Sequence, residues 1–180
     1  MNIINKKWLL GLARKTIEGE LRGEKLVVGR VPVEFKKKKA CFITLTKNGE
    51  LRGCIGHLIS IQELYRDVIE NAKAAAFVDY RFSPVTGDEL PQIKIEISIL
   101  DRSKKYKYPC PEKLVNYLAK NKPGVILKRG FNQVTYLPQV WEELKNPEKF
   151  MNFLCQKAGL PFDEWRKMKE VGVYKVEKIT

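Results

Sequence analysis

The dipeptide Asn48-Gly49, set between the apolar runs "ACFITLTK" and "ELRGCIGHLI", constrains this chain more than any other feature. A two-residue turn that matches the twist of its strands needs left-handed backbone at both positions, and asparagine and glycine adopt it at least cost. The stretch from Lys36 to Ile59 therefore reads as two antiparallel strands. Lys47 then pairs with Glu50, Leu45 with Arg52 and Ile43 with Cys54. Alternation puts Arg52, Cys54 and Leu58 on one face with Cys41, Ile43 and Leu45. Leu51, Ile55, His57 and Ile59 fall on the other face with Phe42.

The remaining periodicities surround this hairpin with helices and further strands. Trp8, Leu9, Leu12, Ala13 and Ile17 recur on one helical face that ends at Gly19 or Gly23. Residues 61–78 predict an amphipathic helix, with Ile61, Leu64, Tyr65, Val68, Ile69 and Ala72 inside. Gln62, Glu63, Arg66, Asp67, Glu70 and Lys73 lie around its other side, and Ser60 with Glu63 forms a capping box. "FSPVTGDELP" is a turn region. Residues 92–100 alternate isoleucine with polar residues, as a half-buried strand does. A short helix follows Pro111, and "GVILKRGFNQVTYL" reads as a second hairpin turning near Arg129-Gly130. Asn146-Pro147 starts a helix that stops at Gly159, and "VGVYKVEKI" closes the chain as one strand. Strands grouped in hairpins with helices between the groups predict an α+β fold with a mixed or mainly antiparallel sheet.

Two glycines around one thiol mark the segment 51–56, "LRGCIG", as the candidate site. Arg52, two residues from Cys54 on one face, lowers a thiol pKa by its charge. Asp79 and Arg81, in "VDYRF", complete a charged pocket: Arg81 stabilises an anion, and Asp79 holds an arginine or accepts a proton. Cys54 is the candidate nucleophile and His57, the chain's one histidine, the candidate base. A regular strand separates those two side chains, unless a bulge at Gly53 or Gly56 re-aims them. The bland alternative makes Cys54 a small core residue and the glycines a means of close helix packing by Ala72, Ala75 and Ala76. Zinc needs four ligands. Cys54 and His57 are close in sequence and Cys41 comes near through the hairpin, but no fourth ligand is evident, so no metal or other cofactor is assigned.

The chain has 180 residues and a net charge of +13, with 13 basic against 5 acidic residues in the first 60. Such a surface attracts phosphates or acidic partners, or is simply solvated. Lys36–Lys39 and the tyrosine-lysine alternation of "KKYKYPCP" (104–111) give the nucleic-acid reading its support. No recognition motif or phosphate loop accompanies them, and lysines on an edge strand with inward tyrosines explain the pattern better. No run reaches the roughly 18 apolar residues of a membrane helix. The first twenty residues carry no apolar signal-peptide core, so the expected compartment is the cytoplasm, with Cys41, Cys54, Cys110 and Cys155 as free thiols. Abundant Lys, Glu and Ile suggest a heat-adapted source.

Six stretches in order resemble the AMMECR domain family, known in prokaryotes as AmmeMemoRadiSam system protein A. They are "LRGCIG" (51–56), "AAFVDYRFSPV" (75–85), "ELPQIKIEISIL" (89–100), "GVILKRG" (124–130), "TYLPQVW" (135–141) and "FLCQKAGL" (153–160). The resemblance implies a single α+β domain over residues 1–180, of two lobes with a cleft lined by LRGCIG. It implies a setting too, alongside Memo-type proteins and radical-SAM enzymes. Two classes of function follow. One is a binding or adaptor module for a small ligand or peptide, using Arg52, Gly53, Gly56, Asp79 and Arg81. The other is a cysteine-dependent enzyme of acyl or other group transfer, using Cys54 and His57.

Overall fold

The structure, a computed structural model, describes residues 1–129 and 132–180. Its elements run α1 (Ile3–Arg22), β1 (Cys41–Lys47), β2 (Glu50–Gly56), α2 (Leu64–Phe77), β3 (Ile93–Leu100), β4 (Lys104–Lys107), α3 (Pro111–Asn121), β5 (Gly124–Arg129), β6 (Asn132–Tyr136), α4 (Pro147–Lys157), β7 (Glu170–Tyr174) and β8 (Val176–Ile179). The fold is α+β, as expected, but with two four-stranded antiparallel sheets. The strands divide between two compact units, Met1–Leu100 with Glu177–Thr180, and Asp101–Val176. No helix among the described residues is long and apolar enough to cross a membrane.

In the first unit the sheet order is β2-β1-β3-β8, and α1 and α2 cover one face. The Asn2 side chain caps α1 by accepting from the Asn5 N–H at 2.8 Å, worth about 1 kcal/mol. Gly23 ends the helix in the left-handed region at φ 67°. Leu9, Ala13 and Ile17 are fully buried and Leu12 nearly so, against Ile93, Ile97 and Ile99 of the sheet. Trp8 adds a stack on Phe35, with ring centroids 5.3 Å apart.

The hairpin turns where expected, with φ 53° at Asn48 and 87° at Gly49. Its register departs from the regular pairing after two rungs. Lys47 faces Glu50 and Thr46 faces Leu51, but Leu45 faces Gly53, Thr44 faces Cys54 and Ile43 faces Ile55. Arg52 is the extra residue of a bulge, and every later side chain of β2 is moved to the opposite face. The cause lies in α2, whose Ala75 carbonyl approaches so closely that a Cβ at position 53 would stand 2.1 Å from its oxygen. Regular pairing would aim Arg52 at that helix; the bulge puts glycine there instead.

Helix α2 starts three residues later than the sequence predicts. Glu63 bridges to Lys38, and the Leu64 N–H donates to the Lys37 carbonyl at 3.0 Å, so Glu63 is held extended and the helix begins only after it. Ser60 and Glu63 form no capping box, and Ile61 is exposed.

In the second unit the sheet order is β4-β7-β5-β6, with α3 and α4 as its helices. Trp165, Phe150 and Leu114 are fully buried, and Trp141 stacks on Phe150 at 3.8 Å. Burying a side chain of that size contributes about 2–3 kcal/mol. Asn146 caps α4 through the Lys149 N–H, and Gly159 follows at φ 68°. The expected turn near Arg129-Gly130 lies outside the described residues. The closing segment is two strands in different sheets, because alternation breaks at Tyr174, buried next to the equally buried Val173. "KKYK" is a strand, β4, at the sheet edge. Tyr106 stacks on Tyr117 at 3.9 Å, and Tyr108 is buried with its hydroxyl donating to the Trp165 carbonyl, so both rings serve the interior of this unit.

Candidate functional site

The bulge decides what surrounds the thiol. Cys54 shares its face with Thr44 and Glu96, away from α2, and its Sγ lies 3.4 Å from the Thr44 hydroxyl. The expected neighbours Ile43 and Leu45 are on the other face. Strand β2 is the outer strand of its sheet, and Asp79 and Arg81 close its open side at Cys54. The Cys54 N–H donates to Asp79 Oδ2 at 2.8 Å, and Arg81 donates to the Cys54 carbonyl at 3.2 Å. The same carboxylate takes Arg81 Nε at 2.9 Å, a terminal Arg81 nitrogen at 2.7 Å and the Arg81 backbone N–H at 3.3 Å. Asp79 is 4% exposed. Its hydrogen bonds to Arg81, and then to the backbone, hold its pKa down at about 2 against the opposing effect of burial.

Of the residues singled out from sequence, Cys54, Asp79 and Arg81 are therefore in mutual contact. Arg52 joins them only across Phe82, whose ring has the Arg81 guanidinium at 5.4 Å and that of Arg52 at 6.0 Å. Arg52 pairs with Glu89 at 2.8 Å, and Lys47 reaches the same carboxylate at 3.5 Å. One terminal nitrogen of Arg52 is buried without a hydrogen-bond partner. Sequence gave no signal for Phe82 or Glu89. Gly53 and Gly56 both permit close approach: a Cβ at position 56 would sit 2.3 Å from the Phe42 ring and 2.5 Å from the Cys41 carbonyl oxygen.

Burial pushes the Cys54 thiol above its ordinary pKa. The Thr44 hydroxyl and the Arg81 charge pull the other way, and the carboxylates of Asp79 and Glu96 add to the rise. The arginines are poorly placed to offset this burial: Arg52 is engaged by Glu89, and the charge of Arg81 is compensated by Asp79.

His57 lies on the α2 face, separated from Cys54 by the strand. Its Nδ1 is 2.7 Å from Asp67 Oδ1, and Asp67 also accepts from the Cys41 N–H at 2.8 Å, Gln62 at 3.1 Å and Asn71 at 3.1 Å. An acceptor-only carboxylate leaves Nδ1 as the donor and Nε2 as the basic nitrogen. Asp67 and Asn71 are both buried, although the sequence reading set Asp67 on the solvent side of α2. The missed signal was their position three and seven residues after Leu64, inside the apolar stripe. Cys41 is fully buried beside them, its thiol driven well above the usual range by desolvation and the Asp67 charge. Among the described residues, no cluster of His, Cys, Asp and Glu could hold a metal ion.

The chain is similar over most of its length to archaeal proteins. A protein of Methanosarcina acetivorans is 40% identical over 166 residues, covering 89% of this chain and 83% of that one. A protein of Methanocaldococcus jannaschii is 39% identical, covering 85% and 78%. The crystal structure of an uncharacterised protein from Pyrococcus horikoshii superimposes with a TM-score of 0.90 at 30% identity, covering 99% of this chain and 92% of that one. The AMMECR1 family model matches residues 10–179, a span that holds the bulged LRGCIG strand, the Asp79–Arg81 fork and the His57–Asp67 pair. With that match and relatives at this identity, the chain belongs to the AMMECR1 family.

Proposed function

We propose that this protein is a binding or adaptor module, and that its recognition surface is the LRGCIG strand with the segment 78–82 fastened to it. The observation that carries this reading is the contrast within three residues: Asp79 is 4% exposed and fixed by a set of charge-assisted hydrogen bonds, while Val78 and Tyr80 on either side are 72% and 93% exposed. An aromatic side chain offered from an ordered backbone loses little entropy on docking and is a common interface anchor. Arg81, which keeps 42% of its side chain exposed, adds a charged rim.

The partners proposed are a Memo-type protein and a radical-SAM enzyme, the setting implied by the family resemblance. Binding is favoured over cysteine-dependent group transfer for two reasons. The Cys54 thiol is shifted away from the thiolate, and the one histidine stands on the opposite face of the strand. The test is titration calorimetry with each purified partner from the same genome. Saturable binding that weakens about tenfold or more in Tyr80→Ser is expected, matching the loss of a central anchor. Absence of binding to both partners, or binding unchanged by Tyr80→Ser and Val78→Ser together, overturns the reading.

A further inference from the structure

Helix α1 carries a glycine in its interior that no close contact explains. A Cβ at Gly11 would meet no atom within 4 Å, and glycine weakens a helix interior relative to alanine. Gly11 borders a cavity of about 540 Å³, walled by Leu10 on the helix side and by Ile93 and Ile95 of β3 on the sheet side, and a smaller one beside residues 26–29. That volume lies within the roughly 300–1,000 Å³ of small-molecule sites, and the mainly apolar walls fit them as well.

Arg14, one turn beyond Gly11, lines the same cavity and brings an uncompensated charge. Its terminal nitrogens donate to the Leu90 carbonyl at 2.7 Å and to the Ile93 carbonyl. Two of its five N–H groups are used in this way, so the guanidinium is oriented while three donors remain. Arg14 forms no ion pair with a carboxylate among the described residues. Glu96, which also borders the cavity, is 2.6 Å from Lys178, and Lys94 brings a second cation to the rim.

We propose that this cavity binds a small monocarboxylate with an apolar chain. The carboxylate takes the remaining N–H groups of Arg14, with Lys94 nearby, and the chain lies over Gly11 against Leu10, Ile93 and Ile95. A planar guanidinium matches a carboxylate geometrically, and one oriented arginine in an apolar wall suits a monoanion better than a phosphate dianion. The site shares no residue with the surface at 78–82, so either proposal can fail while the other stands.

Octanoate is the probe, with 1-octanol as its uncharged counterpart, titrated into the full chain by calorimetry at neutral pH. Saturable one-to-one binding of octanoate is expected, with 1-octanol weaker by about tenfold or more, the loss that follows from removing one charge-assisted contact. Gly11→Leu fills the cavity and should abolish octanoate binding in a protein whose circular dichroism is unchanged. Arg14→Met should weaken octanoate by about tenfold and leave 1-octanol as it was. If Arg14→Met fails to fold, Gly11→Leu decides alone, and Gly11→Ala, which should melt a few degrees higher than the native chain, tests the smaller intrusion. Octanoate that does not saturate, that binds no better than 1-octanol, or that binds Gly11→Leu as well as the native chain overturns the proposal.

Discussion

The carbonyl of Ala75 stands where a side chain of residue 53 would have to go: a Cβ on Gly53 would be 2.1 Å from that oxygen and 3.1 Å from its carbon. Both groups are backbone or rigidly attached to it, so neither can step aside. Helix α2 and strand β2 are thereby held at a distance that only glycine allows, and the bulge beside it sets the facing of Cys54.

Gly53→Ala is accordingly expected to cost about 3 kcal/mol or more, through overpacking against backbone. Gly87→Ala, where a Cβ meets nothing within 4 Å, should stay within about 0.5 kcal/mol. Urea denaturation of the two variants checks the contrast, and similar midpoints would contradict it.

Asp79 makes stability depend on acid. Its folded pKa is about 2, below the ordinary carboxylate value of 3.8. The folded state therefore binds this proton less readily than the unfolded one. The contribution is fully present above about pH 4 and disappears as the pH falls through about 2. It amounts to at most about 2 kcal/mol, given that the half-exposed Arg81 is screened by solvent. Asp79→Asn should be destabilised by up to that amount at pH 7, with the gap to the native chain closing as pH 2 is approached. A gap that stays constant with pH would assign the effect to packing.

The raised thiol of Cys54 predicts slow alkylation. With iodoacetamide at pH 7, followed by mass spectrometry, Cys54 should react more slowly than a free cysteine, and faster as the pH climbs beyond the ordinary thiol range. Arg81→Ala removes a charge that favours the thiolate and should slow it further. The fully buried Cys41 and Cys155 should react only on unfolding. Cys54 labelling at pH 7 faster than a free thiol would restore the case for a nucleophile.

Asp67 satisfies donors from β1, from the 57–62 connection and from its own helix. Asp67→Ala should cost about 3 kcal/mol, because it leaves the buried Cys41 N–H without its acceptor and takes from the Asn71 amide one of its two, the Cys41 carbonyl remaining. His57→Ala, at a side chain one-third exposed, should cost roughly 1 kcal/mol. Thermal melts of both variants give the comparison, and equal losses would mean that the pair acts only as a pair.

Much of this was legible in the chain. The Asn48-Gly49 turn, the buried stripe of α1, the alternating isoleucines of β3 and the Asn146 cap depend on residues within one or two turns of each other, where pattern and conformation are tightly linked. The bulge at Arg52 was not legible, because its cause is a carbonyl 22 residues beyond Gly53 that becomes a neighbour only when α2 docks. The late start of α2 has a similar origin in the backbone of Lys37 and Lys38. The burial of Asp67 was not legible either, because the donors that make it tolerable come from β1 and the 57–62 connection and converge on it only in the folded chain. The candidate site was half readable: Cys54, Asp79 and Arg81 do meet, while the arginines expected to activate the thiol are occupied by carboxylates.

The fork formed by Asp79 and Arg81 also fixes where the first sheet stops. It presents an acceptor and a donor to Cys54 as an adjoining strand would, yet it is made of side chains and offers no further rung on its far side. A second copy of the chain approaching β2 at this point meets a finished boundary rather than a template for continued growth. Acid that protonates Asp79 would remove the boundary, so the conditions that unlatch the 78–82 segment are the same ones under which this strand becomes open to edge-to-edge aggregation.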